Sequence, residues 1–287
     1  MRIKNRALSF LLVTLVYAIA TALGIITYNA FKLDWWLSLL IADILSTVVV
    51  FIFSGIFKNA STYDPYWSVQ PLVIVTAFAI GTKITVVTLL PIIAIWLWGV
   101  RLTANWAYTF KGLTHQDWRY TMLNEKTGKA YPLVNFLGIH LFPTLVVYAC
   151  CLPAVNIIRL GVTNLNAGAI IFFCTSILAV VLQTVSDIQM QAFRKKKEEG
   201  KASGFIRVGL WKYSRHPNYL GEILMWWGIG LYGVCAMPSS WYLLAGALVN
   251  TLMFLIVSIP MADRRQAQKQ GYEEYKAQTR MLLPIKK

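Results

Sequence analysis

The sequence predicts an all-α, polytopic membrane helix bundle, and both its composition and its apolar runs support this fold class. Of the 287 residues, 57% are hydrophobic and 14% are charged, and the mean hydropathy is +0.56. A helix needs about 20 mostly apolar residues to cross the hydrocarbon core of a bilayer. The chain has about seven to eight stretches of this kind, near residues 8–28, 35–57, 68–82, 84–108, 133–154, 166–190, 219–237 and 240–261.

The basic residues predict the orientation of these spans. Eight spans put both termini on one side, and most of the 27 lysines and arginines fall in segments on that side. Lys32, Lys83 and Arg159 fall on the other side. Because cytoplasmic loops are enriched in lysine and arginine, we expect both termini to lie in the cytoplasm. The net charge of +15 then reflects topology, and no zinc-finger or RNA-recognition pattern points to nucleic acid as a partner.

No repeat, low-complexity tract or linker divides the chain, so residues 1–287 are predicted to form a single membrane domain. The four cysteines lie in apolar runs without CxxC spacing or neighbouring histidines, a pattern that predicts neither disulfides nor a metal site. The apolar run after Arg6 continues for about 20 residues without a cleavage site, so we expect it to remain as a helix.

A polar stripe marks the end of the sixth predicted span. Gln183, Asp187, Gln191 and Arg194 are spaced by four, four and three residues, which places them on one side of a helix. A polar stripe on a membrane helix faces protein or water. It indicates either a hydrogen-bonded seam with another helix or one wall of a ligand site.

Residues 209–222 combine cations, an amide and an acid at the start of the seventh predicted span. The free N–H groups of its first turn and Arg215 favour a phosphate or carboxylate. Asn218 and Glu222 share a face, and Glu222 is placed to accept hydrogen bonds from an amide, an amine or a ribose hydroxyl. Alternatively, Glu222 pairs with an arginine and only joins two helices. His216 fits a capping or packing role equally well.

Arg101 and the loop after the fourth span, residues 111–132, carry further polar candidates. Arg101 lies near the inner end of that span, and Asp117, Arg119 and Tyr120 follow in the loop. These side chains either complete a polar pocket with the C-terminal elements, or Arg101 extends to the headgroups while Asp117 pairs locally with Arg119.

An acid and two phenols follow the second span. Asp64 lies between Tyr63 and Tyr66, and such a group can polarise a carbonyl by hydrogen bonding, as general-acid chemistry requires. We therefore take Asp64, Tyr66 and Tyr63 as catalytic candidates, with an interfacial aromatic belt as the alternative. Asp43, inside the second span, is a separate carboxylate with Thr47 one turn later, and it could line a cavity.

No GxGxxG or GxxxxGK[ST] motif is present, so soluble nucleotide-binding folds are not indicated. Other motifs are distinctive as a set: Asp187, Phe193, Gly209 to Trp211, Tyr213 to Glu222, Trp226 to Gly228 and Tyr272 to Pro284, together with Tyr63 to Trp67, Trp98 to Leu102 and Asp117 to Tyr120. This set resembles membrane steroid 5-alpha-reductases and, above all, their largely uncharacterised bacterial branch. The resemblance covers residues 55–287.

The resemblance implies an integral reductase of the bacterial inner membrane that binds NADPH and passes hydride to an activated carbon–carbon double bond of a hydrophobic, steroid-like or lipid-like substrate. Residues 1–130 would form the substrate side, and residues 131–287 would form the cofactor-binding region. The cofactor-binding candidates are Arg101, Arg119, Asp187, Arg194, Tyr213, Arg215, His216, Asn218, Tyr219 and Glu222. The Gln-Glu-Leu-Pro segment of steroid-converting members is missing, so the resemblance does not extend to steroid as the substrate.

Two other functions remain open. Membrane methyltransferases that modify isoprenylcysteine or phospholipid amines use a similar Arg-His-Pro-x-Tyr segment, with S-adenosylmethionine as cofactor. The run from Asn218 to Glu222, and Asp187 ahead of Arg194, favour the reductase. The third possibility is a lipid-binding membrane protein without enzyme activity, which would bind neither cofactor tightly.

Overall fold

The computed structural model describes residues 5–285, and its regular structure there is helical apart from an isolated parallel bridge between Ser214 and Arg280. Arg2, Lys4, Lys286 and Lys287, which contribute to the predicted charge asymmetry, lie outside the described residues. The helices are α1 (Arg6–Ala30), α2 (Trp35–Phe57), α3 (Tyr66–Ala79), α4 (Val86–Thr109), α5 (Trp118–Thr127), α6 (Tyr131–Val134), α7 (Phe142–Leu160), α8 (Ala167–Glu198), α9 (Pro217–Ala236), α10 (Ala245–Met253), α11 (Ile259–Ala267) and α12 (Tyr272–Gln278).

Six helical segments among the described residues are long and apolar enough to cross a membrane. They are Arg6–Ala30, Trp35–Phe57, Val86–Thr109, Trp118–Leu160, Ala167–Glu198 and Pro238–Ala267. Two of them contain a π-helical turn, at Asn135–Leu141 and at Phe254–Ser258. The protein is therefore an all-α, multi-pass membrane helix bundle, which confirms the predicted fold class.

The other two predicted spans also form helices, but they differ from the six. Helix α3 has 14 residues. At a rise of about 1.5 Å per residue it is about 21 Å long, shorter than a hydrocarbon core of about 30 Å. Helix α9 has 20 residues, most of them on buried faces, and it contains Glu222. It packs inside the bundle, where α7, α8 and α10 cover it.

The loop predicted over residues 111–132 is partly helical. Helix α5 begins at Trp118, and the helical segment continues with local 3-10 and π turns to Leu160. The side chain of Asp117 caps this start, because it accepts a hydrogen bond of 2.9 Å from the backbone N–H of Arg119.

Glycines on α9 let it approach α8 closely. A Cβ atom added at Gly228 would lie 2.2 Å from the Ser176 hydroxyl oxygen, and one at Gly221 would lie 2.5 Å from the Gln183 side chain. Small residues of this kind allow close helix contacts in membranes. The contact sets the polar stripe of α8 against the first turns of α9.

Contacts between loops distinguish the two ends of the bundle. At one end the Arg6 guanidinium donates a hydrogen bond of 2.9 Å to the Ala107 carbonyl, so the start of α1 meets the end of α4. At the opposite end the Thr85 hydroxyl donates to the Val162 carbonyl at 2.6 Å. We call the end that contains Arg6 the basic end, since the lysines and arginines that line the site described below lie there.

Candidate functional site

A cavity of about 1260 Å³ lies at the basic end, between the loops that follow α2 and α4 and helices α4, α8, α9 and α11. It brings together nine of the thirteen residues predicted as catalytic or cofactor-binding. These nine are Tyr63, Asp64, Arg101, Arg119, Asp187, Arg194, Asn218, Tyr219 and Glu222. The polar stripe of α8 therefore forms a cavity wall, because Gln183 and Gln191 line it as well.

An ion pair forms part of the inner wall. Arg101 Nη1 donates to Asp187 Oδ2 at 2.7 Å, and Nη2 donates to the Gln183 side-chain oxygen. Arg101 lies two turns before the end of α4, about 12 Å along its axis. It does not extend to the headgroups, since its guanidinium bonds across to α8. Its Nε and the amide nitrogen of Gln183 are buried without a hydrogen-bond partner.

Glu222 is held by two tryptophans. Its side chain is buried, and its two oxygens accept hydrogen bonds from the indole N–H groups of Trp98, at 2.8 Å, and Trp226, at 3.0 Å. The two indole rings contact each other edge to face, with centroids 4.9 Å apart. Glu222 makes no ion pair within residues 5–285, so neutral donors, and not the arginine considered as an alternative, hold its carboxyl group on the cavity wall.

Cations line the outer part of the cavity. Arg119 pairs with Asp117 at 2.8 Å, which confirms the local pairing considered as an alternative. The side chains of Arg194 and Lys195 also line the cavity, and among the described residues they make no hydrogen bond or ion pair. These two cations are therefore free to bind an anionic group.

Asp64 forms a hydrogen-bonded pair with Tyr120 on the same cavity. The Tyr120 hydroxyl donates to Asp64 Oδ1 at 2.5 Å. Burial, offset in part by the nearby Arg119 charge and by this hydrogen bond, raises the pKa of Asp64 to about 6. A carboxyl with such a pKa can hold or release a proton near neutral pH.

Tyr63 and Tyr66 have different surroundings. Tyr63 lines the cavity, and its hydroxyl forms a hydrogen bond of 2.8 Å with the Thr144 hydroxyl. Tyr66 is buried behind it, with its ring centroid 5.6 Å from that of Tyr63 and 5.4 Å from that of Tyr17. Of the three catalytic candidates, Tyr63 and Asp64 thus line the cavity and Tyr66 does not.

Arg215 and His216 bind the C-terminal segment instead of lining the cavity. Both contact Asp263, at 3.1 Å and 2.9 Å, and Arg215 also donates to the Thr279 carbonyl at 2.7 Å. Tyr213 lies outside the cavity too, half exposed beside Lys212. All three residues precede the first turn of α9. The partners of Arg215 and His216 come from α11 and the segment after α12.

Several contributors to this site were not among the predicted residues. Tyr120 was considered for a polar pocket but had no assigned role as a partner of Asp64, while Trp98 and Arg265 had no predicted site role. Arg265 lies 4.1 Å from the centroid of the Trp118 ring at the edge of the cavity. For the tryptophans that hold Glu222, the sequence offered one signal, which is the spacing of four residues between Glu222 and Trp226. Within residues 5–285, no group of three or more His, Cys, Asp or Glu side chains could hold a metal ion.

Comparison with known proteins shows that the cavity lies in the part of the chain that matches a family model. A family model described as a protein of unknown function, DUF1295, matches residues 50–279, which include all nine predicted residues that line the cavity. Over 279 residues the chain is 26% identical to an uncharacterised protein of Schizosaccharomyces pombe, an alignment that covers 86% of this chain and 76% of that protein. No solved structure matches the chain.

Proposed function

This chain belongs to the DUF1295 family, which includes steroid 5-alpha-reductase-like proteins, and we propose that it is an NADPH-dependent membrane reductase. The proposed reaction transfers hydride to the activated carbon–carbon double bond of an enone in a hydrophobic, steroid-like or lipid-like substrate. The substrate would enter from the bilayer, since apolar helices form the body of the protein.

One observation carries this proposal: a single cavity combines unpaired cations on its outer wall with fixed polar groups on its inner wall. Arg194 and Lys195 can bind phosphate groups by charge-assisted hydrogen bonds. Asp187 and Glu222 offer carboxylate oxygens on the inner wall, where ribose hydroxyls or a carboxamide would find acceptors. This arrangement suits an elongated ligand with one anionic end and one neutral polar end.

The residues present also fit such a ligand in detail. The buried Nε of Arg101 and the amide nitrogen of Gln183 are donors without a partner, and a bound polar ligand would satisfy them. Asn218 lines the same wall at the first turn of α9. When bound, NADPH would supply the hydride.

Asp64 is the proposed acid of the reaction. Negative charge develops on the enone oxygen as its double bond is reduced, and a hydrogen-bond donor at that oxygen stabilises it. Protonated Asp64 can donate to this oxygen, while Tyr120 holds the carboxyl in place through their mutual hydrogen bond. Tyr63 lines the cavity next to Asp64 and is a second possible donor.

Ligand titration tests the cofactor part of the proposal. We expect NADPH, and not S-adenosylmethionine, to bind the purified protein, and Arg194→Gln to weaken NADPH binding roughly tenfold, or about 1.4 kcal/mol. Lys196→Gln is the matched control, because Lys196 is exposed on the same turn of α8 and does not line the cavity. Binding of S-adenosylmethionine alone would favour a methyltransferase, and binding of neither ligand would favour a lipid-binding protein.

Turnover tests the role of Asp64. With an enone substrate, loss of the absorbance of reduced nicotinamide reports the reaction. We expect Asp64→Asn to lower the rate by about 100-fold or more while NADPH affinity is kept, because general-acid catalysis contributes on that scale. Asp34→Asn is the matched control at the exposed start of α2, far from the cavity. Full activity of Asp64→Asn would remove Asp64 from catalysis.

A further inference from the structure

A second polar site lies inside the bundle, apart from the cavity lining. Asp43, in the middle of α2, is 4% exposed, and both of its carboxyl oxygens lack a hydrogen bond of normal geometry. Gln70 of α3 lies beside it, 7% exposed, and its two amide atoms are also unpartnered. Buried polar atoms without partners are rare in folded proteins, so this pair requires a physical explanation.

Within residues 5–285, no lysine, arginine or histidine forms an ion pair with Asp43. The titratable groups that face it are Tyr63 and Tyr66 from the α2–α3 region and Tyr148 and Cys151 from α7. All four are neutral in their ordinary protonation states. An ionised aspartate at the centre of a span costs about 2.5–3.5 kcal/mol on insertion scales, and a buried carboxyl avoids this cost when it binds a proton.

Hydroxyl groups connect this site to the cavity. The Tyr66 phenol is close enough to the Asp43 carboxyl for their charges to interact, and it interacts directly with the hydroxyls of Thr47 and Ser46. The Thr47 hydroxyl is 3.1 Å from the Thr144 hydroxyl, which in turn is 2.8 Å from the hydroxyl of Tyr63. Since Tyr63 lines the cavity, the chain of hydroxyls ends there.

The hydroxyl of the neighbouring Tyr148 points away from the cavity, unlike the hydroxyls of that chain. Its hydroxyl donates to the backbone carbonyl of Trp36, at 2.5 Å. Trp36 is in the first turn of α2, at the end of the bundle opposite the basic end. Tyr148 therefore does not connect Asp43 to the cavity.

We propose that Asp43 is an intramembrane proton-binding site that exchanges its proton with the cavity through Tyr66, Thr47, Thr144 and Tyr63. In each exchange the carboxyl O–H bond breaks as a neighbouring hydroxyl gains that proton. Every hydroxyl then passes its own proton onward, once those of Thr47 and Thr144 turn away from the Asp43 and His140 backbone carbonyls to which they donate, and Tyr63 releases one into the cavity. Reloading runs in reverse. The site does not depend on which ligand the cavity binds, so it stands apart from the proposed reductase activity.

Infrared spectroscopy of the protein in bilayers at neutral pH tests the protonation of Asp43. We expect the carbonyl stretching band of a protonated carboxylic acid in the wild type and its loss in Asp43→Asn. Carbon-13 labelling of aspartate carboxyls shifts the band while Glu222 is unaffected, so it assigns the band to an aspartate, and the loss in Asp43→Asn then separates Asp43 from Asp64. Loss of carboxylate bands in Asp43→Asn would show an ionised Asp43, balanced by a bound cation such as sodium, and would overturn the proposal.

Exchange into heavy water tests the route. Deuteration shifts the same carbonyl band, so its rate of shift reports the proton exchange of Asp43. We expect Tyr63→Phe to slow this exchange by roughly tenfold or more, which corresponds to about 1.4 kcal/mol of added barrier. Tyr148→Phe is the matched control and should leave the rate unchanged. Equal rates in the two variants, or slower exchange in Tyr148→Phe alone, would exclude the route through Tyr63.

Discussion

Breaking the Arg101–Asp187 ion pair from either side is expected to destabilise the protein, and removing both charges together should cost less than the sum of the two single losses. The guanidinium nitrogen and carboxylate oxygen are 2.7 Å apart, and the two side chains are only 13% and 16% exposed. Charge centres about 4 Å apart attract each other by about 4 kcal/mol at an effective dielectric constant of about 20. Removing one partner also leaves the other charge uncompensated, so each single variant should lose about 3–5 kcal/mol.

The variants Arg101→Gln, Asp187→Asn and their combination form a double-mutant cycle. Because the double variant leaves no lone charge, its loss should fall short of the sum of the single losses by about 1–3 kcal/mol. Arg159→Gln is the control within a span: Arg159 lies 5.1 Å from the centroid of the Trp35 ring and forms no ion pair among the described residues. This variant should lose about 1 kcal/mol or less.

Unfolding in mixed micelles by titration with dodecyl sulfate measures these free energies. The 11 tryptophans of the chain provide the fluorescence signal. A double variant whose loss equals the sum of the two single losses would refute the reasoning, because it would mean that the two charges do not stabilise each other across α4 and α8.

Three further outcomes can be measured. The pKa of Asp64 in the folded protein, about 6, exceeds the ordinary value of 3.8. Its protonation therefore stabilises the fold below pH 3.8, and this contribution is lost as pH rises through about 6. The melting temperature should depend less on pH across this range in Asp64→Asn than in the wild type. Asp263→Asn removes the carboxylate shared by Arg215 and His216, so trypsin should cut faster near Lys276. Gly246→Ala should cost about 1–3 kcal/mol of unfolding free energy, since its Cβ would lie 2.4 Å from the Ala149 backbone, whereas Gly55→Ala, with no atom within 4 Å, should not destabilise.

The regular part of the site could be predicted from the sequence because helix geometry fixes it. Gln183, Asp187 and Gln191 all face the cavity, as their spacing along α8 requires. Asn218 and Glu222 share a wall for the same reason on α9. Wherever two candidates lay within one helix, the period of that helix determined their relative placement.

Periodicity gives no such information outside the helices. Arg215 lies only three residues before Asn218, yet it faces Asp263, which is 48 residues further along the chain. Tyr120 likewise meets Asp64 across 56 residues. Side-chain directions in these segments depend on how distant helices pack, and no local pattern in the sequence encodes that packing.

Three buried or half-buried carboxyl groups show what an energetic argument from the sequence can predict and what it cannot. The cost of an acid among apolar helices singles out Asp43, Asp187 and Glu222 equally from the sequence. Within residues 5–285 the structure gives them three different environments: an arginine for Asp187, two indole N–H groups for Glu222, and for Asp43 only the neighbouring Gln70 amide, without a hydrogen bond of normal geometry. An arginine and paired indoles stabilise the ionised form, while isolation favours the protonated form. The same cost therefore leads to two carboxyl groups held by hydrogen-bond donors beside the cavity and, in our proposal, one exchangeable proton behind it, a division of roles that only the partners of each carboxyl group reveal.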